Sequence, residues 1–336
     1  MKKVLSIVLL CVLIVLPLLV SCAPQKPIVG FFVYDENDTY MGELTAKVKA
    51  EVDSKVNLDI KYASRSQSVQ NRQILDNLKQ NTALIAVNLV DRLSASSIVE
   101  KCEQQKLPLV FFNREPLDGD MSSSRVYYVG ANADNQGILQ AEMLNNLFGE
   151  FVNTAYDKNG DGKIQTIIFK GEQGHQDAEK RTKSCLNELK NYGYSIDILG
   201  VTVADWSRNK AESAMQDYDK LFGESIELIL CNNDDMALGA VDFLKGAGKL
   251  KEESASDFHQ DYVIVGVDAT EAGLKAVKDG YMYGTVLNDS LTQSKAIALL
   301  MQYLLQNKDL QNFPYTITNR NYIYIDGKII LKYDIK

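Results

Sequence analysis

Two adjacent segments, DKNGDGKIQ from Asp157 and GEQGHQDAEKR from Gly171, carry side chains suited to two different kinds of chemistry. The first supplies the oxygen ligands and the turn glycine of the front half of an EF-hand-type calcium loop, namely Asp157, Asn159, Asp161, Gly162, Lys163 through its carbonyl, and Gln165. The twelfth position of such a loop is a bidentate glutamate, but here it is Ile168, inside an apolar run that predicts a strand. The segment is therefore either a calcium loop that takes its missing carboxylate from elsewhere, or a surface turn without an ion.

The second segment places His175, Asp177 and Arg181 at the start of a predicted helix. Imidazole both donates and accepts, carboxylate accepts, and guanidinium donates in a planar fork, so the three suit a neutral polyhydroxylated ligand such as a sugar. A plain Asp–Arg helix pair beside an exposed histidine is one alternative. An acid–base couple of His175 and Asp177 is another, although no motif supplies a nucleophile or a second catalytic carboxylate.

Apolar segments alternate with amphipathic helical stretches, such as residues 41–52 and 68–79, along the whole chain. Predicted strands in the first half are 28–34, 58–63, 83–89, 107–113 and 127–130, and in the second half 166–169, 199–203, 228–231, 263–267 and 283–287. This alternation predicts two parallel-sheet α/β domains, because each strand is followed by a crossover helix.

Ligands of such sheets bind beyond the carboxyl ends of the strands. The side chains at those ends are Asp38, Tyr40, Asn113, His175, Asp177, Trp206, Asn233, Asp268 and Asn288. One Asn or Asp after a strand is usually only a turn residue. Together, however, they come from both halves and can bind hydroxyls, while Tyr40 and Trp206 can sandwich the apolar face of a sugar ring. The sequence therefore predicts a sugar site in a cleft between two domains.

The N-terminus has two lysines, an apolar stretch from Val4 to Val20, and the ending Leu-Val-Ser-Cys at Cys22. This pattern is typical of an export signal and resembles a bacterial lipobox, which implies cleavage before Cys22, acylation of that cysteine, and an envelope protein tethered to a membrane. A retained signal anchor is the alternative. Loss of residues 1–21 removes two lysines and no acid, so the formal charge changes from −8 to −10, which argues against nucleic acid as a partner.

Only three cysteines, Cys102, Cys185 and Cys231, lie beyond the signal and the lipobox. Their odd number and irregular spacing predict buried free thiols rather than a disulfide framework. With two histidines and no CxxC motif, a zinc site is not expected.

The chain resembles the periplasmic binding proteins for galactose and glucose that serve bacterial sugar uptake and chemotaxis. The matching segments are YDENDTYM from Tyr34, AVNLVD from Ala86, PLVFFNREP from Pro108, YYVG from Tyr127, DKNGDGKIQ, KGEQGHQDAEKRT from Lys170, NNDDMALGAV from Asn232, GVDA from Gly266 and GTVLND from Gly284.

The resemblance implies two domains of the periplasmic binding protein type I fold, joined by a three-stranded hinge. It implies residues 22–27 as a tether, 28–131 plus 288–322 as the N-terminal domain, and 132–287 plus 323–336 as the C-terminal domain with the calcium loop.

The resemblance also implies the roles of individual residues. The sugar hydroxyls would be held by Asp38, Asn113, His175, Asp177, Arg181, Asn233, Asp268 and Asn288, and the ring would lie between Tyr40 and Trp206. Glu227 would complete a structural calcium site. Tyr40 departs from the family pattern, which has phenylalanine at this position, and its added hydroxyl could gain a contact or shrink the pocket.

The implied function is that of a substrate-binding lipoprotein of an ABC importer. It would bind D-glucose, D-galactose or both by hinge closure, deliver the sugar to a membrane permease and also serve as the ligand of a chemoreceptor, without catalysing a reaction. Two alternatives use the same fold. A sugar-sensing repressor would need a helix-turn-helix segment, which residues 1–27 do not provide. A sugar-modifying enzyme would need a catalytic pair among the pocket carboxylates.

Overall fold

A computed structural model describes residues 25–52, 54–149, 156–252, 258, 260–319 and 321–336. Twelve strands lie in these ranges: β1 Ile28–Val33, β2 Asn57–Tyr62, β3 Thr82–Val87, β4 Leu109–Phe112, β5 Val126–Ala131, β6 Ile164–Lys170, β7 Ile196–Val203, β8 Leu228–Cys231, β9 Val263–Asp268, β10 Gly284–Leu287, β11 Tyr322–Ile325 and β12 Lys328–Leu331. The α-helices are α1 Thr39–Val52, α2 Gln67–Leu78, α3 Ala95–Gln104, α4 Ala133–Phe148, α5 Gln176–Asn191, α6 Arg208–Phe222, α7 Asp234–Gly246, α8 Glu271–Lys278 and α9 Ser290–Leu305.

The strands form two six-stranded sheets of matching order. The first sheet runs β2-β1-β3-β4-β5-β11 and is parallel throughout. The second runs β7-β6-β8-β9-β10-β12, and only β12 is antiparallel to its neighbour. Apolar side chains on both faces of each sheet pack under the helices, as expected for parallel sheets that are covered on both sides. The predicted fold class, with two parallel-sheet α/β units, is confirmed.

The chain passes between the two sheets three times. After β5 it enters α4, which packs on the second sheet, and after β10 it enters α9, which packs on the first. The third passage falls between β11 and β12. Strand β11 pairs with β5 as far as Ile325↔Ala131, so the boundary predicted after Tyr322 lies three residues too early. The reason is that residues 323–325 continue the first sheet before the chain turns at Asp326 and Gly327.

Several helices that begin near the cleft are capped by side chains at their first turns. Asn233 accepts the backbone N–H of Met236 at the start of α7, and Asp289 accepts that of Thr292 at the start of α9. Such caps satisfy N–H groups that have no partner within the helix. They also fix the loops that follow β8 and β10.

Candidate functional site

A cavity lies between the two sheets, at the carboxyl ends of their strands. It is lined by Tyr34, Asp38, Tyr40, Met41, Asn113, Arg114, His175, Asp177, Arg181, Trp206, Asn233, Asp268 and Asn288. All ten residues predicted as a sugar site are in this set. They come from both units of the fold, because both sheets end at the same cleft.

Tyr34, Met41 and Arg114 line the cavity although the sequence did not single them out. Tyr34 directly follows β1, and Arg114 follows Asn113 at the end of β4. The strand-end rule could have found both, but neither is an amide or carboxylate. The Arg114 guanidinium stacks on the Tyr34 ring, 3.8 Å from its centroid, and its Nη1 donates to the Val90 carbonyl at 2.7 Å. Arg114 therefore forms a fixed wall of the cavity.

Asp38 is positioned by two protein donors. Its Oδ1 accepts the backbone N–H of Met41 at 2.8 Å, and its Oδ2 accepts the Tyr34 hydroxyl at 2.5 Å. Each carboxylate oxygen has two lone pairs, so both retain capacity for a further donor. Asp38 is thus held rigidly and can still accept from a ligand hydroxyl.

His175 caps the first turn of α5, and this position makes its neutral imidazole a hydrogen-bond donor toward the cavity. Its Nδ1 accepts the backbone N–H of Asp177 at 3.1 Å, so the proton of the neutral ring lies on Nε2. Burial, with the nearby Arg114 and Arg181, lowers the pKa of His175 well below its usual 6.5. The hydrogen bond runs to the Asp177 backbone and not to its carboxylate, so the two side chains do not form the acid–base couple considered as an alternative.

Asp177 and Arg181 face each other across one helical turn of α5, with Arg181 Nη2 3.5 Å from Asp177 Oδ2. Arg181 is fixed by Gln136, which accepts from Nε at 2.8 Å, and by the carbonyl of Asn232, which accepts from Nη1 at 2.9 Å. Burial raises the pKa of Asp177 to about 6, against the lowering effect of Arg181. The pair is therefore a carboxylate acceptor beside a permanently charged donor.

Asp268, Asn288 and Gln293 form a series of hydrogen bonds that runs from the end of β9 in the second unit to the first turn of α9 in the first unit. Asn288 Nδ2 donates to Asp268 Oδ1 at 3.1 Å, and Gln293 Nε2 donates to Asn288 Oδ1 at 2.7 Å. These two hydrogen bonds fix the orientation of the Asn288 amide, with its nitrogen toward Asp268 and its oxygen toward Gln293. Burial raises the pKa of Asp268 well above its usual value, opposed by Arg181.

Three lining residues have left-handed backbone conformations that non-glycine residues seldom adopt. The φ angles are 60° at Asn113, 63° at Trp206 and 118° at Asp268. Asn113 is held by the Tyr128 hydroxyl, which donates to its carbonyl at 2.9 Å, and by Gln176 of the second unit, which donates to the same carbonyl at 3.0 Å. Backbone strain of this kind concentrates at functional sites, where neighbouring groups enforce it.

Besides Tyr34, whose ring is covered by Arg114, each unit contributes an aromatic ring to the cavity wall, Tyr40 from α1 and Trp206 from the loop before α6. The Trp206 ring meets His175 edge-on, with the centroids 5.0 Å apart. It also lies so close to Gly171 that a Cβ there would be 2.2 Å from the indole. Gly171 is therefore required by the indole position. Taken together, the cavity presents charged and amide acceptors, fixed donors and aromatic rings, which is chemistry suited to a neutral polyol.

The loop predicted to bind calcium does not line this cavity. Glu227, distant in sequence, reaches the loop: its Oε1 accepts the backbone N–H of Lys158 at 2.7 Å and its Oε2 accepts that of Gln165 at 3.0 Å. Two enclosed oxygens, Asp157 Oδ1 and Gln165 Oε1, have no hydrogen-bond partner among the described residues. Unpaired buried acceptors together with Glu227 fit a cation with oxygen ligands.

The other loop positions adopt the turns that the pattern requires. Gly160 and Gly162 have φ of 70° and 73°, and Asn159 Oδ1 accepts the backbone N–H of Asp161 at 2.9 Å. No group of three or more His, Cys, Asp and Glu side chains placed to hold a metal is found in the described ranges. Asp157, Asp161 and Glu227 therefore do not form a cluster of three carboxylates, and a cation at this loop would also need amide and backbone carbonyl oxygens.

Cys102, Cys185 and Cys231 are buried free thiols, and burial raises the pKa of each. Cys22 lies outside the described residues, so its lipidation stays a prediction. Within the described ranges, every helix is too short or too polar to cross a membrane.

Comparison with known proteins agrees with this fold. Residues 29–309 match the family model of the periplasmic binding protein domain. The D-galactose/methyl-galactoside binding periplasmic protein of Haemophilus influenzae is 34% identical over 284 residues, which cover 83% of this chain and 82% of that protein. A xylitol-binding protein of Mycolicibacterium smegmatis is 26% identical over 252 residues, covering 75% of this chain and 64% of that protein.

Solved structures share the fold along almost the whole chain. A solute-binding protein of an ABC transporter from Bacillus halodurans with bound myo-inositol superposes with a TM-score of 0.77 at 21% identity, covering 94% of this chain and 98% of that one. One from Actinobacillus succinogenes with bound D-allose gives 0.75 at 20% identity, covering 92% and 99%. The chain belongs to the periplasmic binding protein family, which is made up of exported solute-binding proteins and not of enzymes.

Proposed function

We propose that this protein is the substrate-binding component of an ABC sugar importer, and that it binds D-glucose, D-galactose or both. The observation that carries the proposal is the cavity itself, where all ten predicted residues converge from the two units. Its carboxylates and amides suit several hydroxyls at once, and its aromatic rings suit the C–H faces of a pyranose. The galactose-binding relative supports a hexose in particular, since its similarity extends over four-fifths of the chain.

The sugar is released and captured by hinge motion of the two units about the three passages of chain. Direct contacts between the units hold the closed form: Thr39 Oγ1 donates to Asp235 Oδ2 at 2.7 Å, and Lys180 Nζ lies 3.3 Å from Glu115 Oε2. These groups lie at the rim of the cleft, where they would separate on opening. Closure presents a joint surface of both units to a membrane permease, and the same surface would suit a chemoreceptor.

Titration of the purified protein with single sugars tests this proposal. Trp206 is the only tryptophan and lines the cavity, so its fluorescence should report binding, with calorimetry as an independent measurement. We expect saturable binding of D-glucose or D-galactose at micromolar concentration or below, and at least about 10-fold weaker binding of D-allose, D-ribose, xylitol and myo-inositol.

The variant that tests the site is Asp268→Asn, which keeps the shape of a fixed cavity acceptor but removes its charge. Its hydrogen bonds to ligand hydroxyls would be weaker by about 1 to 2 kcal/mol, so affinity should fall by about 10-fold or more. Tight binding of another polyol with no response to either hexose would overturn the hexose assignment. Recovery of a chemically changed sugar would favour the enzymatic alternative.

We propose that the loop from Asp157 to Gln165, with Glu227, binds a structural calcium ion. The support is the pair of unpaired enclosed oxygens and the placement of Glu227 at the loop. The ligands would be Asp157, Asn159, Asp161, the carbonyl of Lys163, Gln165 and Glu227. The ion would stiffen the second unit without touching the sugar.

We also propose that Cys22 carries a lipid that tethers the mature protein to a membrane, as the Leu-Val-Ser-Cys ending indicates. Growth of a bacterial host with a radiolabelled fatty acid should label the wild type and not Cys22→Ser. The labelled protein should sediment with membranes. An unlabelled wild type in the soluble envelope fraction would contradict the tether.

A further inference from the structure

The hydroxyl of Tyr40 is enclosed beside the cavity without a hydrogen-bond partner. Tyr40 is 7% exposed, its ring belongs to the apolar cluster with Met41 and Leu44, and the residue lines the cavity. Within the described residues, no group forms a hydrogen bond with its Oη. A buried hydroxyl left unpaired costs about 1 to 3 kcal/mol, so its place in the wall of a binding cavity calls for a partner.

The surroundings of this hydroxyl are those of the ligand-binding groups. Asp268, Arg181 and Asp177 line the same cavity as Tyr40. Burial, together with the negative charge of Asp268, raises the pKa of Tyr40 well above its usual value. Among the residues that the structure describes, the Asp268 carboxylate accepts a hydrogen bond from Asn288 alone, at Oδ1. A ligand hydroxyl near Asp268 would therefore find a second group, Tyr40 Oη, within the same part of the cavity.

A phenol hydroxyl can donate and accept at once, unlike a carboxylate, an ammonium or a guanidinium. It can therefore donate to a sugar oxygen whose own proton is donated to Asp268. In this arrangement one sugar hydroxyl donates its proton to Asp268 and accepts the Tyr40 proton on one of its two lone pairs. Loss of that sugar hydroxyl would leave the Tyr40 hydroxyl unpaired again, which is the basis of strong discrimination against deoxy analogues.

We infer that Tyr40 Oη is a specificity-determining group, which forms a direct hydrogen bond with one hydroxyl of the bound monosaccharide. This inference rests on the proposed function, since it takes the ligand to be a polyhydroxylated ring in this cavity. It assigns to the hydroxyl a role separate from the packing role of the aromatic ring. The two roles can be separated because phenylalanine keeps the ring and removes only the oxygen.

The first test compares wild type and Tyr40→Phe in binding of D-glucose, D-galactose and their monodeoxy derivatives by calorimetry. For the preferred hexose we expect Tyr40→Phe to bind about 3- to 10-fold more weakly. One monodeoxy derivative should bind equally to both proteins, because it lacks the hydroxyl that Tyr40 contacts. Equal or tighter hexose binding by Tyr40→Phe would overturn the inference, as would the same loss with every deoxy derivative.

The matched control is Tyr262→Phe. Tyr262 is 2% exposed and its hydroxyl is likewise buried and unpaired, but it lies in the core of the second unit and does not line the cavity. Removal of this hydroxyl should leave affinity for every sugar unchanged within about twofold. A loss of affinity as large as that of Tyr40→Phe would show that a core change alone weakens binding, and would overturn the inference.

The second test needs no sugar. Thermal unfolding of the ligand-free proteins should show Tyr40→Phe at least as stable as wild type, because the change removes an unpaired buried polar group. A lower unfolding temperature would mean that the hydroxyl has a partner within the protein and would overturn the inference. If wild type bound none of the sugars, the proposed function would fail, and this unfolding comparison would still decide the state of the Tyr40 hydroxyl.

Discussion

Arg114 and Glu172 form an ion pair across the cleft, with Arg114 Nη2 2.5 Å from Glu172 Oε2. The arginine belongs to the first unit and the glutamate to the second. The Arg114 side chain is 5% exposed and fixed by Tyr34 and the Val90 carbonyl, whereas that of Glu172 is 36% exposed. Opening of the cleft would therefore leave a buried, prepositioned guanidinium without its carboxylate. We therefore expect the pair to act as a latch that favours the closed form in the proposed hinge motion.

Glu172→Gln should weaken sugar binding about 3- to 10-fold, mainly through faster dissociation. A partly exposed ion pair contributes about 1 kcal/mol, and here that free energy is available only when the cleft is closed. Stopped-flow fluorescence of Trp206 would measure the dissociation rate, and the difference from wild type should shrink in high salt. Asp76→Asn is the control, because its pair with Lys79 is exposed on one helix. Unchanged dissociation in Glu172→Gln would contradict the latch.

Sugar affinity should fall as the pH drops through about 6. Burial raises the pKa of Asp177 to about 6, and its protonation removes a charged acceptor from the cavity. Calorimetric titrations of the preferred sugar from pH 5 to pH 8 would measure the effect. Asp177→Asn should bind more weakly at every pH and lack this inflection. An identical inflection in the variant would assign it to another group.

The stability of the ligand-free protein should change in the opposite direction. Because the folded pKa of Asp177 lies above that of the unfolded chain, about 3.9, the folded state holds the extra proton between these values. The stabilising contribution is therefore present below pH 4 and lost as the pH rises to about 6. Relative to Asp177→Asn, wild type should lose on the order of 2 kcal/mol of unfolding free energy across this window.

The pH dependence of the wild type alone would not isolate Asp177. The pKa of His175 is lowered, so its contribution to stability is present above pH 6.5 and lost as the pH falls. The two residues oppose each other, and only the difference between wild type and variant separates them. A difference in unfolding free energy that stays constant from pH 4 to pH 6 would contradict the buried-acid assignment.

Most of the fold could be predicted from the sequence, because parallel strands buried on both faces have continuous apolar runs that helices separate. All ten predicted strands exist, with ends shifted by at most about three residues. The strands β11 and β12 were not predicted. With Asp326-Gly327 between them they have the local pattern of a hairpin, yet they lie in different sheets, and only the packing of the two units decides that.

Nine of the ten candidate site residues were found because they stand at strand ends, and Arg181 because it lies one helical turn after Asp177; all ten matched a family pattern. The groups that orient them could not be found this way. Gln136 fixes Arg181 from 45 residues away, and Asn88 donates to the Asn113 side chain from a neighbouring strand end. Their types are ordinary for a helix or a loop, and their roles depend on distances that only the folded chain sets.

Gly171→Ala should displace the indole of Trp206 and weaken sugar binding by about 10-fold or more. A Cβ at residue 171 would be 2.2 Å from the ring, a distance that no side-chain adjustment at alanine can relieve. The emission maximum of the ligand-free protein should shift as the indole moves. Gly119→Ala is the control, since nothing lies within 4 Å of the added carbon. Wild-type emission and affinity in Gly171→Ala would contradict the required close approach.

Removal of calcium should destabilise the second unit without changing the sugar site. An ion bound only by the folded state adds about 2.7 kcal/mol at 100 times its dissociation constant, so a chelator should lower the unfolding temperature of wild type by several degrees. Sugar affinity should change less than about twofold, because no loop residue lines the cavity. Calorimetric titration of the chelator-stripped protein should show one calcium site.

Glu227→Gln and Asp157→Asn should abolish the response to calcium and chelator. Each variant removes one negative charge from the donor set, and Glu227→Gln keeps an oxygen to accept the backbone N–H groups of Lys158 or Gln165. When both substitutions are combined, the site has lost two carboxylates and should bind calcium far more weakly. The double variant should therefore have the same unfolding temperature with and without calcium. If the unfolding temperature of the wild type were the same in calcium and in chelator, the loop would be a surface turn without an ion. In that case the enclosed Asp157 Oδ1 and Gln165 Oε1 would be satisfied by water, and both single variants should lower stability equally in calcium and in chelator.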